Sequence, residues 1–295
     1  MKTEDRNLYI ESYYAAHHTI SGFVADVNQA ATDQDPVVKT CHPKNDRYYI
    51  QLNPNKVVPG SMIKTFSEYK SVLEATMERI EATELQITRA DLSFNSDDES
   101  HYEQFKKLHK LLISCLSEAY GVRNSYQSCD LWSNRSLSVA IKSDRFEAEN
   151  YNKDLESHGT TEAKNRLELR SKRMASGIEE EFLVKWFERL DRAVEVFEDV
   201  QAHYNRELIR IWNEDQAKTK KEQEFVSLTA FVLRYKDCIF TRKQLQSLFE
   251  GVGVQNPKNR AKKFKDGHKI EFFSHQDLKI IVQTIKNMTK KYYNS

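Results

Sequence analysis

Two spacings of apolar residues alternate along the chain. The run Arg-Tyr-Tyr-Ile-Gln-Leu at 47–52, closed by Asn53-Pro54-Asn55, has strand character. After Thr65, the residues Phe66, Tyr69, Val72, Leu73, Met77 and Ile80 recur at three- and four-residue steps, which predicts an amphipathic helix ending near Thr83. Leu85 to Phe94 alternates apolar and polar in its first half, as a strand does. Ser96-Asp97-Asp98-Glu99 then supplies acids for a helix start, and Tyr102, Phe105, Leu108, Leu111, Leu112, Cys115 and Leu116 form the apolar face of the next helix. Strand-like pieces follow at Ser125–Trp132, Ser136–Lys142, Arg145–Asn152 and Ala163–Ser171. From Glu179 to Gln216 the apolar stripe Phe182, Trp186, Leu190, Val194, Phe197, Val200, Ile209 and Trp212 predicts one or two long helices. That stripe is not a clean heptad, yet it allows self-association into a homodimer.

The tail reads as a small helical module. Thr241 opens a helix over 241–249, Gly251-Val252-Gly253-Val254 makes a turn, and Asn256-Pro257 starts a second, basic helix with proline in its first turn. Two short helices around a glycine turn form a helix-turn-helix-like layout, whose second helix enters the DNA major groove in proteins of that type. The whole order predicts an α+β fold with an antiparallel sheet and flanking helices, then long helices, then the helical module. Three consecutive segments are expected: an α+β domain at 1–175, a helical arm at 176–226 and a basic module at 227–295.

Composition sharpens this picture. Only eight glycines are present, about 3% against a usual ~7%, and they are scattered. None stands at P-loop spacing, and Gly251-Val252-Gly253 lacks the third glycine of a dinucleotide fingerprint, which excludes both common nucleotide-cradling designs. Gly60 to Gln255 is free of proline, which permits long helices and interior strands. The first residues carry acids and no apolar core of a secretory signal, and no run of apolar residues is long enough to span a membrane. Cys41, Cys115, Cys129 and Cys238 have no metal-site or disulfide spacing and are expected to be reduced thiols of a cytoplasmic protein.

The net charge of +1 hides a segregation of sign. The last 56 residues hold 12 of the 45 basic residues and 4 of the 44 acidic ones, which leaves 33 basic and 40 acidic residues upstream. Such a basic end is what a polyanion-binding module produces. Arg242, Lys243, Lys258, Arg260, Lys262 and Lys263 are its candidate DNA contacts.

Three segments carry polar groups that a plain sheet does not need: Arg89-Ala90-Asp91, Asn150 to Glu156, and Asn165 to Lys172. In the third, a period of two puts Arg166, Glu168 and Arg170 on one face and Leu167 and Leu169 on the other. A carboxylate between two guanidiniums suits either a metal ion with a phosphodiester or a solvent-exposed ladder of charge pairs.

In order, Arg89-Ala90-Asp91, Tyr151-Asn152-Lys153-Asp154-Leu155-Glu156 and Arg166-Leu167-Glu168 resemble motifs of the replication initiation factor family. These are rolling-circle-type Rep proteins of Gram-positive plasmids and integrative elements, and the resemblance extends more loosely to the gene II/X replication proteins of filamentous phages. It covers about residues 85–172. It implies a bacterial, cytoplasmic initiator that binds a replication origin and nicks one strand. A tyrosine hydroxyl attacks a phosphodiester, leaving a 5′-phosphotyrosine and a free 3′-OH, with host helicase or polymerase recruited afterwards. On this resemblance Tyr151 is the nucleophile, Lys153 a nearby cation, and Asp91, Glu168 and Glu156 the oxygen ligands of Mg²⁺ or Mn²⁺. Arg89, Arg166 and Arg170 are further DNA contacts. The acidic run Phe146-Glu147-Ala148-Glu149 and the lack of a His-hydrophobe-His motif keep a second reading open: an origin-binding initiator or regulator that does not cut DNA. A relaxase acting in element transfer is a further variant of the first.

Overall fold

A computed structural model of the chain describes residues 14–57, 62–96, 102–122, 138–152, 165–222, 227–268 and 270–295. The expected strand at 125–132 lies outside them. The fold is α+β, with a seven-stranded antiparallel sheet, flanking helices and several C-terminal helices.

The strands are β1 (Tyr14–Val24), β2 (Val38–Lys44), β3 (Arg47–Leu52), β4 (Gln86–Ser96), β5 (Ser138–Lys142), β6 (Phe146–Asn152) and β7 (Asn165–Lys172). Their order across the sheet is β2-β3-β1-β4-β7-β6-β5, which puts β4 in the middle. Between them, α1 (Gln29–Thr32) is a single turn, and α2 (Phe66–Arg79) starts on Thr65, whose hydroxyl accepts the Glu68 N–H. The 19-residue helix α3 (Tyr102–Tyr120) follows β4. A π-helical turn at Glu181–Lys185 leads into α4 (Trp186–Glu195), and α5 (Phe197–Glu222) follows. The last helices are α6 (Leu228–Arg234), α7 (Arg242–Gly251), α8 (Pro257–His268) and α9 (His275–Asn294). Among the described residues no helix is long and apolar enough to cross a membrane.

The chain forms two compact units built from non-consecutive segments, where the sequence suggests three consecutive ones. The first comprises Met1–Tyr102, Ala140–Arg189 and Gln283–Ser295, and the second Glu103–Val139 and Leu190–Val282.

In the first unit, alternation along β4, β7 and β6 sorts the side chains. Ala90, Leu92 and Phe94, with Leu167 and Leu169 and with Phe146 and Ala148, make the apolar face. Helical residues Phe66, Tyr69, Phe182 and Trp186 are buried with it, and the Trp186 indole N–H donates to Ser171 Oγ at 2.8 Å. Where β1 runs beside β4, Gly22 is obligatory: a Cβ there would lie 2.1 Å from the Gln86 carbonyl oxygen. Close backbone approach at a bulge is a common reason for glycine inside a strand.

His17 sits in the middle of the apolar face, fully buried, with its ring 5.1–5.8 Å from those of Phe66, Tyr69, Phe182, Tyr292 and Tyr293. Nδ1 donates to the Asp91 carbonyl oxygen at 3.1 Å, and Nε2 accepts from the Tyr293 hydroxyl at 2.6 Å. Those two bonds suit the neutral ring. Burial lowers the imidazole from its ordinary 6.5 to about 4, against an opposing contribution from the Asp91 carbonyl. The unfolded chain therefore takes up this proton first as pH falls, and the stability the neutral ring contributes is lost between pH 6.5 and about 4. Full loss is worth about 3 kcal/mol. Urea unfolding followed across that window should show a steeper pH dependence in the native protein than in His17→Gln, and equal slopes would contradict the account.

The second unit is built around Leu208, Phe231, Val232, Ile239, Leu245, Leu248, Phe249 and Ala261. Each of the larger side chains contributes roughly 1.5–3 kcal/mol when fully removed from water. Thr241 caps α7 by accepting the Gln244 N–H at 2.9 Å, and Gly253, at φ +77°, turns the chain toward α8. Pro257 opens α8, and Ala261 is the residue it buries.

Candidate functional site

The opposite face of the sheet is charged and largely buried. Antiparallel pairing places Asp91 across from Arg170, Ser93 across from Glu168, and Arg89 across from Lys172. On the other side of β7, Glu147 faces Arg170, Glu149 faces Glu168 and Tyr151 faces Arg166. Asp91, Tyr151, Glu168, Arg89, Arg166 and Arg170, expected from the sequence to act together, thus share one face. Lys153 and Glu156 lie outside the described residues. The expected alternative of a solvent-exposed ladder does not hold for the inner members, since Arg166 and Glu168 are each only 2% exposed.

Each carboxylate on this face already holds a cation. Arg89 makes a two-pronged pair with Asp91, at 3.0 Å for both nitrogens. Arg170 binds Glu168 through Nε at 2.9 Å and reaches Glu149 at 2.8 Å and Glu147 at 3.2 Å. Lys172 Nζ stands 2.6 Å from Glu147. The Arg166 Nε donates to Asn95 Oδ1 at 2.6 Å, and one of its terminal nitrogens lies 3.5 Å from Glu168. Four acids are thereby matched by four bases, and the low dielectric of a buried site makes such matching obligatory. Glu147, Glu149 and Lys172 are members that motif reading passes over. The signal for the two acids was present as the alternation Glu147-Ala148-Glu149-Asn150-Tyr151, which puts them on the same side as the tyrosine.

The fit of a divalent ion can be judged from this arrangement. Arg170 Nε is 2.9 Å from Glu168 and 3.8 Å from Asp91, so a guanidinium fills the ground between these two carboxylates. Among the described residues no group of three or more His, Cys, Asp or Glu side chains is arranged to hold a metal ion. Of the expected ligands, the described pair Asp91 and Glu168 does not fit Mg²⁺ or Mn²⁺ as it stands, because hard-ion ligation would first require displacing a paired guanidinium.

Tyr151 donates its hydroxyl to Glu168 Oε1 at 2.7 Å. Burial, then the negative charge of Glu168, push the phenol above its ordinary 10, and Arg166 only partly offsets them. Burial also works to raise Glu168, but the charges of Arg170, His18 and Arg166 outweigh it and hold the carboxyl at about 2. With the phenol pushed up and the carboxyl held low, the proton stays on the tyrosine oxygen. As it stands the pair is a buried hydrogen bond, with the tyrosine as donor.

The basic helix has a different character. Lys258, Arg260, Lys262 and Lys263 of α8 are exposed, and none has an ion-pair partner among the described residues. In α7, Arg242 is exposed, while Lys243 lies 3.5 Å from Glu198 in an exposed pair. Beside α8 opens a pocket of about 420 Å³ lined in part by Phe249, Val254, Phe264, Arg260, Lys263 and His268. No protein-family model matches the chain, and no curated protein matches it.

Proposed function

We propose that this chain is a DNA-binding protein of the replication-initiator kind, which recognises an origin on a plasmid or mobile element through its basic two-helix module and does not itself cut the strand. The observation that carries the proposal is the contrast between two sets of cations. Those of the sheet face are each bound to a carboxylate, whereas Lys258, Arg260, Lys262 and Lys263 of α8 stand in solvent with no carboxylate partner among the described residues. Phosphates can be neutralised only by the second set without breaking buried pairs. Base edges would then be read by the same helix, while phosphate contacts fix its register. Recruitment of a host helicase or polymerase would follow on the bound origin.

A tyrosine-nicking reading draws on one observation, the Tyr151 hydroxyl flanked by the Glu168 carboxylate and the Arg166 guanidinium. In that reaction the phenolic oxygen forms the bond to phosphorus and the 3′-oxygen leaves with a proton. The two readings separate in one assay. Supercoiled plasmid carrying the origin is incubated with the protein and Mg²⁺ or Mn²⁺, then examined for nicked circles and a covalent protein–DNA adduct. The expected result is binding without either product, and Tyr151→Phe should bind as the native protein does. An adduct lost in Tyr151→Phe would replace the proposal with the nicking one.

A further inference from the structure

The pocket beside α8 differs in chemistry from everything else on the charged surfaces described above. Its lining includes the rings of Phe249, Phe264 and His268 together with Val254, and Arg260 and Lys263 as cations, with no carboxylate among the described residues. Phe264 packs edge-on against Phe249 with centroids 5.8 Å apart, and His268 lies over it at 4.4 Å, so the rings form one aromatic cluster. Helical spacing explains the arrangement. Arg260, Phe264 and His268 follow one another at four-residue steps and Lys263 lies three residues after Arg260, so all four occupy one stripe of α8. Phe249 comes from α7, and Val254 from the turn that Gly253 makes possible.

An aromatic surface next to exposed cations that have no ion-pair partner among the described residues matches one ligand chemistry closely: a flat heterocycle carrying a phosphate. Duplex DNA presents phosphates to a basic helix but keeps its bases stacked, so it has no use for an aromatic pocket of this size. An unpaired nucleotide has use for both parts, because its base stacks on aromatic rings while its phosphate meets Arg or Lys. At about 420 Å³ the pocket also falls in the range of small-ligand sites. Resting on the DNA-binding reading above, we infer that this pocket receives a single unpaired nucleotide, with its base on Phe264 and its phosphate on Arg260 and Lys263. The protein would then bind melted or single-stranded DNA next to the duplex held by the rest of α8.

The test uses the full chain and a labelled oligothymidylate of roughly eight nucleotides, within the site size of single-strand binders. Binding is compared with that of a duplex of the same length by fluorescence anisotropy. Phe264→Leu keeps an apolar side chain but removes the ring, and should weaken oligothymidylate binding about tenfold, within what a lost base–aromatic stack costs. It should leave duplex binding within about twofold, and Phe264→Tyr should restore the single-strand affinity. Should Phe264→Leu fail to fold, Val254→Trp, which fills the pocket from its wall, should give the same selective loss. Duplex binding with no single-strand binding, or single-strand binding unchanged by these variants, overturns the inference and leaves the DNA reading intact. Loss of both kinds of binding in the native protein removes the DNA reading as well. An acidic, leucine-rich peptide that binds in a Phe264-dependent way while oligothymidylate does not would assign the pocket to a protein partner and overturn the inference.

Discussion

Replacing Arg170 with methionine should lower the unfolding free energy by about 3–5 kcal/mol, the usual cost of removing one partner from a buried ion pair. This guanidinium sits among Glu168, Glu147, Glu149 and Asp91, and its side chain is only 15% exposed. Methionine fills much of the same volume, so the loss is one of charge and not of packing. Glu168 would be left with His18, Arg166 and the Tyr151 hydroxyl, and its carboxyl would rise from about 2 toward its ordinary 4.5. A depressed carboxylate contributes stability that is present above its unfolded pKa and lost as pH falls through the folded one. The native protein therefore has this contribution above pH 4.5 and loses it toward pH 2, whereas the variant lacks most of it throughout. Urea unfolding should show the widest gap between the two near neutrality and a narrower one below pH 4.5. Arg173→Met, which breaks the exposed pair with Asp144, is the control and should change nothing measurable. A small effect of Arg170→Met would mean that the face is wet and the pairs dispensable.

Changing Lys258, Arg260, Lys262 and Lys263 together to glutamine should reduce DNA affinity about a hundredfold at ~0.1 M salt. It should also flatten the dependence of log affinity on log salt concentration by about 3–4, since each neutralised phosphate contributes close to 0.9. These side chains are exposed and make no ion pair among the described residues, so the fold should survive with an unchanged thermal transition. The matching control is Arg210→Gln on α5, where the cation is already held by Glu207 and Glu214. Its removal should leave both affinity and salt slope as they were. If the quadruple variant binds DNA with the native slope, α8 is not the phosphate-contacting surface and the proposed function falls with it.

Much of the fold was legible in local patterns. Thr65 and Thr241 read as helix starts because a hydroxyl there can accept an N–H of the first turn, and both do so. The strands β3, β4, β6 and β7 read as strands because their side chains alternate between two buried or half-buried faces. By contrast β1 went unread. Its alternation is broken by shifts in register between His17 and Ile20 and between Ser21 and Gly22, so no single period runs through it. Nor did any local pattern announce that Tyr292 and Tyr293 pack on His17, since 275 residues or more of chain separate them.

The same division runs through the site. A period of two along Arg166-Leu167-Glu168-Leu169-Arg170 was enough to determine that one carboxylate and two guanidiniums share a face, because side-chain direction in a strand is a local property of the backbone. The sequence by itself likewise determined the segregation of charge toward the C-terminus and the basic stripe of α8. Which cation answers which carboxylate was decided only by the register of β4 and β6 against β7. That register sets Arg170 between Asp91 and Glu147, with Glu168 and Glu149 beside it, and so places a guanidinium between Asp91 and Glu168, two of the three expected metal ligands. Register is a property of pairing between strands far apart in the chain. For that reason the tertiary structure alone separates a face of paired charges from a helix whose exposed cations have no ion-pair partner among the described residues.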